Sequence, residues 1–566
     1  MTVDNTKTTR RGGDLLVASL LAQKVDRAFC VPGESYLPVL DALHDVSDQI
    51  DLVVCRHESG AANMAEAYGK LTGRPGVCFV TRGPGATNAS TGIHTAFQDS
   101  TPLVLFVGQV NSSMKHREGF QEVDFAAMFT PLAKWAAEIT DPARIPEYVH
   151  RAFQTAMAGR PGPVVLSLPE DILSDLVSSE IDPGLLAAPI SGAPTEGQLS
   201  RIAELVEAAE RPLLIVGGGD WTAVLGEQVA GFAERFGVPI AASLRCQDYV
   251  NNYHPNYVGH LTIGAEPKLV ERVRQADLLI VMGARLGEMT TAGYTIIDPA
   301  KRGAMLVHIY PDPEELGRVY QANLAINAGA PATVEGLARL QPKTGNTKRG
   351  NWVAEARADY VASLAVTPRE TSVDLAQVVT EIRKAVPADT IVCSGAGNYT
   401  AWAHRFWQFS SFRTQLAPTS GAMGYGVPAA IAASLIYRDR TVVCFAGDGC
   451  FQMSSQELAT AAQFGARVLF VVVNNSMLGT IRMHQEREFP GRVYATDLVN
   501  PDFVALARSY GLAAERVEHT ADFGAALQRA LAAKGSALIE VVTEKEAISH
   551  RTTISAMREK AKASQK

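Results

Sequence analysis

Short apolar runs separated by amphipathic stretches set the rhythm of this chain. From Gly13 to about Leu173, runs such as Val77 to Thr81 and Leu103 to Val107 alternate with segments such as Asp14 to Leu21 and Ala61 to Lys70. That rhythm predicts a parallel sheet covered by helices. The unit closes with Pro163 to Leu168, and the Pro/Gly/Ser/Ala-rich stretch from about Asp182 to Glu196 reads as a linker. In the middle region Pro212 to Val216 leads into Gly217-Gly218-Gly219, Asp277 to Met282 leads into Gly283, and Met305 to Ile309 precedes Pro311-Asp312-Pro313. After Leu340 the polar segment QPKTGNTKRGN is expected to be exposed. A third alternating region runs from about Thr371 to Thr543, and its runs Thr441 to Ala446 and Val468 to Val473 are short and β-branched enough to be buried parallel strands. The expected class is α/β, with three doubly wound parallel-sheet domains over residues 1–185, 186–345 and 346–566.

Composition narrows the function classes. A length of 566 residues suits about three or four domains at roughly 150 residues each. With 47% hydrophobic and 20% charged residues, the bulk of the chain has enough apolar surface to fold. A net charge of −7 with interspersed signs offers no basic face for a phosphate backbone, so nucleic acid is not an expected partner. The one polybasic run is the tail around Arg558 to Lys566. The seven cysteines show no zinc-ligand spacing and read as reduced core thiols. The start MTVDNTKTTRRGGD lacks an apolar h-region, and no apolar stretch approaches the roughly 18 residues that span a bilayer. The expectation is a cytoplasmic protein with no membrane partner.

The most specific chemical signal lies in the third region. There the strand TVVCFA runs into Gly447-Asp448-Gly449, and the strand VLFVVV runs into Asn474-Asn475. Two neighbouring parallel strands joined by one crossover would bring Asp448 and Asn475 to the same carboxyl-end edge, where open α/β sheets bind ligands. Magnesium takes oxygen ligands: a carboxylate, a carbonyl or two, and phosphate oxygens. Asp448 and Asn475 are the candidate metal ligands. The flanking glycines admit a diphosphate closely, and Ser454-Ser455-Gln456-Glu457 reads as a capping box opening the next helix.

GDG followed by NN at this distance resembles the cofactor signature of thiamine-diphosphate enzymes, and the acetolactate synthase branch is the most similar. Arg56-His57-Glu58-Ser59-Gly60-Ala61-Ala62 resembles the segment with the cofactor-activating glutamate, and a GPGATN segment follows at Gly83 to Asn88. Thr419 to Gly426, TSGAMGYG, resembles the segment with the bulky apolar residue that bends the cofactor, which places Met423 in that role. The resemblance implies that thiamine diphosphate and Mg2+ are the cofactors, with Met477 joining Asp448 and Asn475 at the metal. It further implies a binding set of Glu58, Asn88, Gly397, Asn398, Met423, Gly447, Asp448, Gly449, Asn475, Met477, Leu478 and Gly479. Glu58 is expected to sit in a dry pocket that favours its protonated form and to serve N1′ of the aminopyrimidine. In the family the glutamate-bearing domain of one subunit faces the diphosphate-bearing domain of another, which implies a homodimer or homotetramer.

The residues expected over the reacting carbon decide the reaction on a 2-oxo acid. Gly119-Phe120-Gln121-Glu122 resembles the AFQE segment of acetolactate synthases and favours carboligation through Phe120 and Gln121. Glu34 stands where that branch has a small residue and some decarboxylases an acidic one, which makes it a candidate proton donor. His484 replaces a tryptophan that sizes the second substrate, and with Arg482 it is a candidate for an acceptor carboxylate. Asn398 and Tyr399 replace a Gln-His pair. The resemblance allows FAD as a further cofactor through Gly217 to Gly219 and Gly283-Ala284-Arg285, although LGEMTTAG departs from the family pattern after Arg285. The reading is a carbon–carbon lyase or carboligase. Its alternatives are a non-oxidative 2-oxo acid decarboxylase, a flavin-linked oxidase, and a non-catalytic, cofactor-binding regulatory subunit.

Overall fold

A computed structural model describes residues 9–301, 303–343, 349–369 and 371–565. Residues 344–348 of the polar QPKTGNTKRGN segment, most of the polar start and Lys566 lie outside the described residues. Three sheets of six strands each carry the fold, and every pairing within them is parallel. The three apolar rhythms of the sequence correspond to these three α/β domains.

The first sheet runs in the order Asp51–Val54, Arg27–Cys30, Gly76–Val80, Leu103–Gln109, Pro163–Pro169, Trp135–Glu138. The central sheet runs Tyr257–His260, Ile240–Ala242, Pro212–Val216, Leu278–Met282, Met305–Tyr310, Leu324–Asn327. The third runs Gln415–Leu416, Ile391–Ser394, Val442–Gly447, Leu469–Asn474, Ala537–Val542, Ala513–Val517. Helices bury both faces. In the central sheet Leu214, Val216, Ile280 and Met282 belong to one apolar cluster, while Leu213, Ile215, Leu279 and Val281 belong to another. Alternate side chains of one strand thus enter opposite layers, which is why these strands read as unbroken apolar runs.

The chain forms two compact units. One takes the chain through Ile190 together with Ile431–Ile436 and Ser454–Gly465, and the other takes the rest. The central and third sheets share the second unit because buried polar groups tie them. Asp248 accepts the main-chain N–H groups of Thr414 (2.8 Å) and Gln415 (3.1 Å), and the Asn252 side chain accepts the N–H of Phe409 (2.9 Å). Among the described residues no helix is long and apolar enough to cross a membrane. All seven cysteines are free and buried, as their apolar settings predict.

Candidate functional site

In the third sheet, Val442–Gly447 pairs directly with Leu469–Asn474, Gly447 standing opposite Val473. Both strands therefore end at one edge, and Asp448 and Asn475 are the first residues beyond it. They line a cavity of about 250 Å³ together with Gly397, Asn398, Met423, Gly447, Gly449, Met477, Leu478 and Gly479. The ten residues of this unit expected at the cofactor thus share one cavity. A side chain at Gly447 would collide with the Tyr399 ring, its Cβ lying 2.8 Å from Cδ1. A Cβ at Gly449 would lie 3.7 Å from the Met423 methyl. At Gly447 the Tyr399 ring thus leaves room for glycine alone, and at Gly449 a Cβ would also press on Leu478 Cδ2 at 3.0 Å.

Asp448 is 3% exposed. Its Oδ1 accepts the Gly449 N–H at 2.9 Å and its Oδ2 accepts Asn500 Nδ2 at 2.8 Å. Burial pushes its carboxyl above the ordinary range, against the pull of Asn500 and of main-chain N–H groups. Among the described residues no cluster of three or more His, Cys, Asp or Glu is present. A metal at this edge would rely on one carboxylate, amide and carbonyl oxygens, and oxygens of its ligand, a donor set that suits magnesium. The sequence reading missed Asn500, which also donates to Asn474 Oδ1 (2.8 Å), while Asn474 donates to Glu540 (2.7 Å) and Glu540 accepts Arg516 (2.8 Å). This line of hydrogen bonds sets the direction of the Asp448 carboxylate.

The capping box at Ser454 to Glu457 is not formed. The helix after the strand begins at Asp448 itself, as Asp448–Gln452, and Ser454 makes no side-chain cap. Glu457 and Ser454 both belong to the first compact unit, and there other donors claim Glu457. Its buried carboxylate accepts the N–H groups of Arg56 (3.1 Å) and His57 (3.0 Å) and the Thr460 hydroxyl (2.6 Å). A Cβ at Gly60 would come within 2.4 Å of Glu457 Oε1, so glycine is what lets this carboxylate sit under the turn that opens the helix Glu58–Thr72. Glu457→Gln turns an amide donor toward two N–H donors. It is expected to cost about 1–3 kcal/mol in chemical denaturation, and an unchanged stability would contradict this reading.

Glu58 is half-buried, so the expected dry pocket is not present around it in the single chain. Its Oε2 accepts Asn88 Nδ2 at 2.9 Å. Gln121 reaches the same neighbourhood, because its carbonyl accepts the Gly83 N–H (3.0 Å) at the start of the helix Gly83–Asp99, and a Cβ at Gly85 would lie 3.5 Å from Glu58 Oε1. The Gln121 Oε1 is buried with no hydrogen-bond partner among the described residues, and the neighbouring Phe120 is 74% exposed.

Two further candidates have neighbours that are ion-paired. Glu34 is exposed and accepts Arg82 Nη1 at 3.1 Å, while the other arm of Arg82 reaches Glu170. It is an acceptor in an ion pair on the surface of the single chain. His484 stands on the exposed face of the helix Gly479–Glu488, but Arg482 donates to Glu486 (2.9 Å), which Arg558 also holds at 2.8 and 2.6 Å. The buried Glu486 thus competes for the guanidinium that an acceptor carboxylate was expected to use. Arg558, then the Gly491 N–H and Arg482, hold the Glu486 carboxyl down at about 2. A depressed folded-state value gives stability that is complete above the ordinary value of 4.5 and is lost as pH falls toward 2. Glu486→Gln is expected to cost about 2 kcal/mol near pH 7. Its unfolding curves should converge on those of the unmodified protein between pH 4.5 and 2, and a pH-independent gap would contradict the ion-pair origin.

The central glycines are accounted for by packing. The N–H groups of Gly217 and Gly283 bond to the carbonyls of Met282 and Ile309, and Trp221 Nε1 donates to the Gly217 carbonyl at 2.9 Å. A Cβ at Gly218 would fall 1.9 Å from the Gly283 carbonyl oxygen. These glycines let two strand ends close on each other, which accounts for them by packing within the chain.

Three family descriptions match successive parts of the chain: thiamine pyrophosphate enzyme, N-terminal TPP binding domain, over residues 10–128; central domain, over 199–337; and C-terminal TPP binding domain, over 395–541. The acetolactate synthase large subunit of Corynebacterium glutamicum is 36% identical over 537 residues, 92% of this chain and 84% of that protein. The acetolactate synthase of Arthrospira platensis is 32% identical over 94% of this chain and 93% of its own length. The isozyme 3 large subunit of Escherichia coli is 32% identical over 92% of each. With all three domains matched in order and these likenesses running nearly end to end, the chain belongs to the thiamine pyrophosphate enzymes, in the acetolactate synthase-like branch.

Proposed function

We propose that the protein is a magnesium-dependent carbon–carbon lyase or carboligase that acts on a 2-oxo acid and joins the retained fragment to a second carbonyl compound. The convergence of ten residues from four separate segments on the cavity at Asp448 supports this reading most strongly. Bound thiamine diphosphate supplies a carbon nucleophile and an electron sink for decarboxylation. Asp448, Asn475 and the main-chain carbonyl of Met477 would hold the metal, and Gly447 and Gly449 would let main chain close on the diphosphate. Met423 keeps the reacting groups in proximity. Glu58 moves a proton at N1′ of the pyrimidine, steadied by Asn88, and Gln121 and Phe120 shape the space for substrate. The working form is a homodimer or a tetramer of such dimers, in which Glu58 of one chain serves the Asp448 cavity of another.

Ligation is placed before simple decarboxylation because the relatives similar to this chain nearly end to end are named acetolactate synthases. The test is product analysis with pyruvate, magnesium and thiamine diphosphate, with and without an added aldehyde or second 2-oxo acid. A hydroxy ketone or hydroxy acid that incorporates the acceptor is the expected product. Free aldehyde as the sole product under every condition would sink the ligase reading.

A further inference from the structure

A second cavity lies between the central and third domains of the same compact unit, and no step above uses it. Its walls come from the end of the strand Tyr257–His260, the helices Pro267–Gln275, Gly350–Ser363 and Thr400–Phe406, and the segment at His550 and Arg551. Leu269 and Tyr360 give it an apolar side, and Ile263, 65% exposed, stands at the rim. The opposite end is basic. Arg405 and Arg551 both donate to a single oxygen of Glu266, at 3.0 and 2.8 Å, so two guanidinium groups share one carboxylate. Behind them Arg369 donates to the carbonyls of Ser549 (2.9 Å) and His550, adding a further positive charge at this end.

The histidine beside these groups responds to that excess. His550 Nε2 accepts Arg405 Nη1 at 3.2 Å, which leaves the proton on Nδ1. Burial and the guanidinium groups of Arg405, Arg551 and Arg369 hold the imidazole neutral, with its pKa near 3. The Nδ1 of His550 and the Nε of Arg405 are buried with no hydrogen-bond partner among the described residues. A desolvated donor without an acceptor is destabilising, and here two guanidinium groups have one carboxylate between them. A guest that carries negative charge would relieve both.

We propose that this cavity binds a small organic anion, a carboxylate or phosphate monoester with an apolar group, its charged end at Arg405, Arg551 and His550 and its apolar body along Leu269, Tyr360 and Ile263. Two elements carry the site toward the cavity at Asp448. The helix Thr400–Phe406 begins directly after Asn398 and Tyr399, and Asn398 donates to the Ile548 carbonyl (3.1 Å), two residues before His550. The anion is therefore either a separate molecule or the far end of a long substrate. The recognition chemistry is the same for both.

Calorimetry on the full chain loaded with thiamine diphosphate and magnesium tests the proposal, with phenyl phosphate and 4-phenylbutyrate as probes. Inorganic phosphate serves as the tail-less control and phenethyl alcohol as the uncharged one. At least one tailed anion is expected to bind saturably with Kd below about 1 mM, and both controls at least about tenfold more weakly. Ile263→Glu, on an exposed rim where folding is not at stake, and Arg551→Gln should each weaken the tailed anion by about tenfold. Competition with a 2-oxo acid would identify the anion as a substrate's far end, and its absence a separate ligand. No saturable binding of either tailed anion, equal binding of inorganic phosphate, or binding undiminished in both variants would overturn the proposal.

Discussion

Glu58→Gln is expected to lower turnover of a 2-oxo acid by about 10²–10⁴-fold, the usual range for removing a positioned proton-transfer group, while thiamine diphosphate and magnesium bind within about threefold of their original affinity. The substitution keeps the size of the side chain and keeps an oxygen that can accept from Asn88. It removes the capacity to exchange a proton with the pyrimidine ring. The two effects separate cleanly, because Glu58 and Asn88 lie in one compact unit and the Asp448 cavity in the other. Turnover and a cofactor titration on the same preparation check the prediction. Full activity in the variant would refute the role given to Glu58, and a lost cofactor would show that the residue anchors rather than activates.

Asp448→Ala should do the opposite. The variant loses the one carboxylate at the strand edge and leaves Asn500 Nδ2 without one of its two acceptors. Affinity for the magnesium diphosphate is expected to fall by more than about 100-fold, since removal even of the groups that orient a metal ligand costs 10–100-fold. Excess magnesium and cofactor should restore part of the turnover. The cofactor-free protein should unfold at nearly its original denaturant midpoint, because burial already disfavours the ionised Asp448 carboxyl and its removal relieves that cost. Calorimetric titration and denaturation check both halves. Unchanged cofactor affinity would remove Asp448 from the metal site.

Legibility in the sequence followed the range over which each interaction acts. The three sheets were readable because every strand buried on both faces is an apolar run, and the edge shared by Asp448 and Asn475 followed from two such runs being neighbours in a parallel sheet. Side-chain partners distant in sequence were not readable. Glu457 has the spacing of a capping box with Ser454, yet it is claimed by the N–H groups of Arg56 and His57, which lie 401 and 400 positions away. Asn500 sits before a proline in a loop, 52 positions from the carboxylate it orients, with no periodicity to mark it. Arg482 reads as an available cation on a helix face until the fold brings Glu486 and Arg558 together beside it. Glu58 reads as the occupant of a dry pocket, whereas the single chain leaves it half-buried.

The most direct test of carbon–carbon chemistry at this site is carbon dioxide release from a panel of 2-oxo acids by protein stripped of metal and cofactor, with magnesium and thiamine diphosphate added back singly and then together. Release is expected with both present and only background release with either one alone. Release that is indifferent to thiamine diphosphate, or none from any 2-oxo acid while the cofactor is demonstrably bound, would contradict the account.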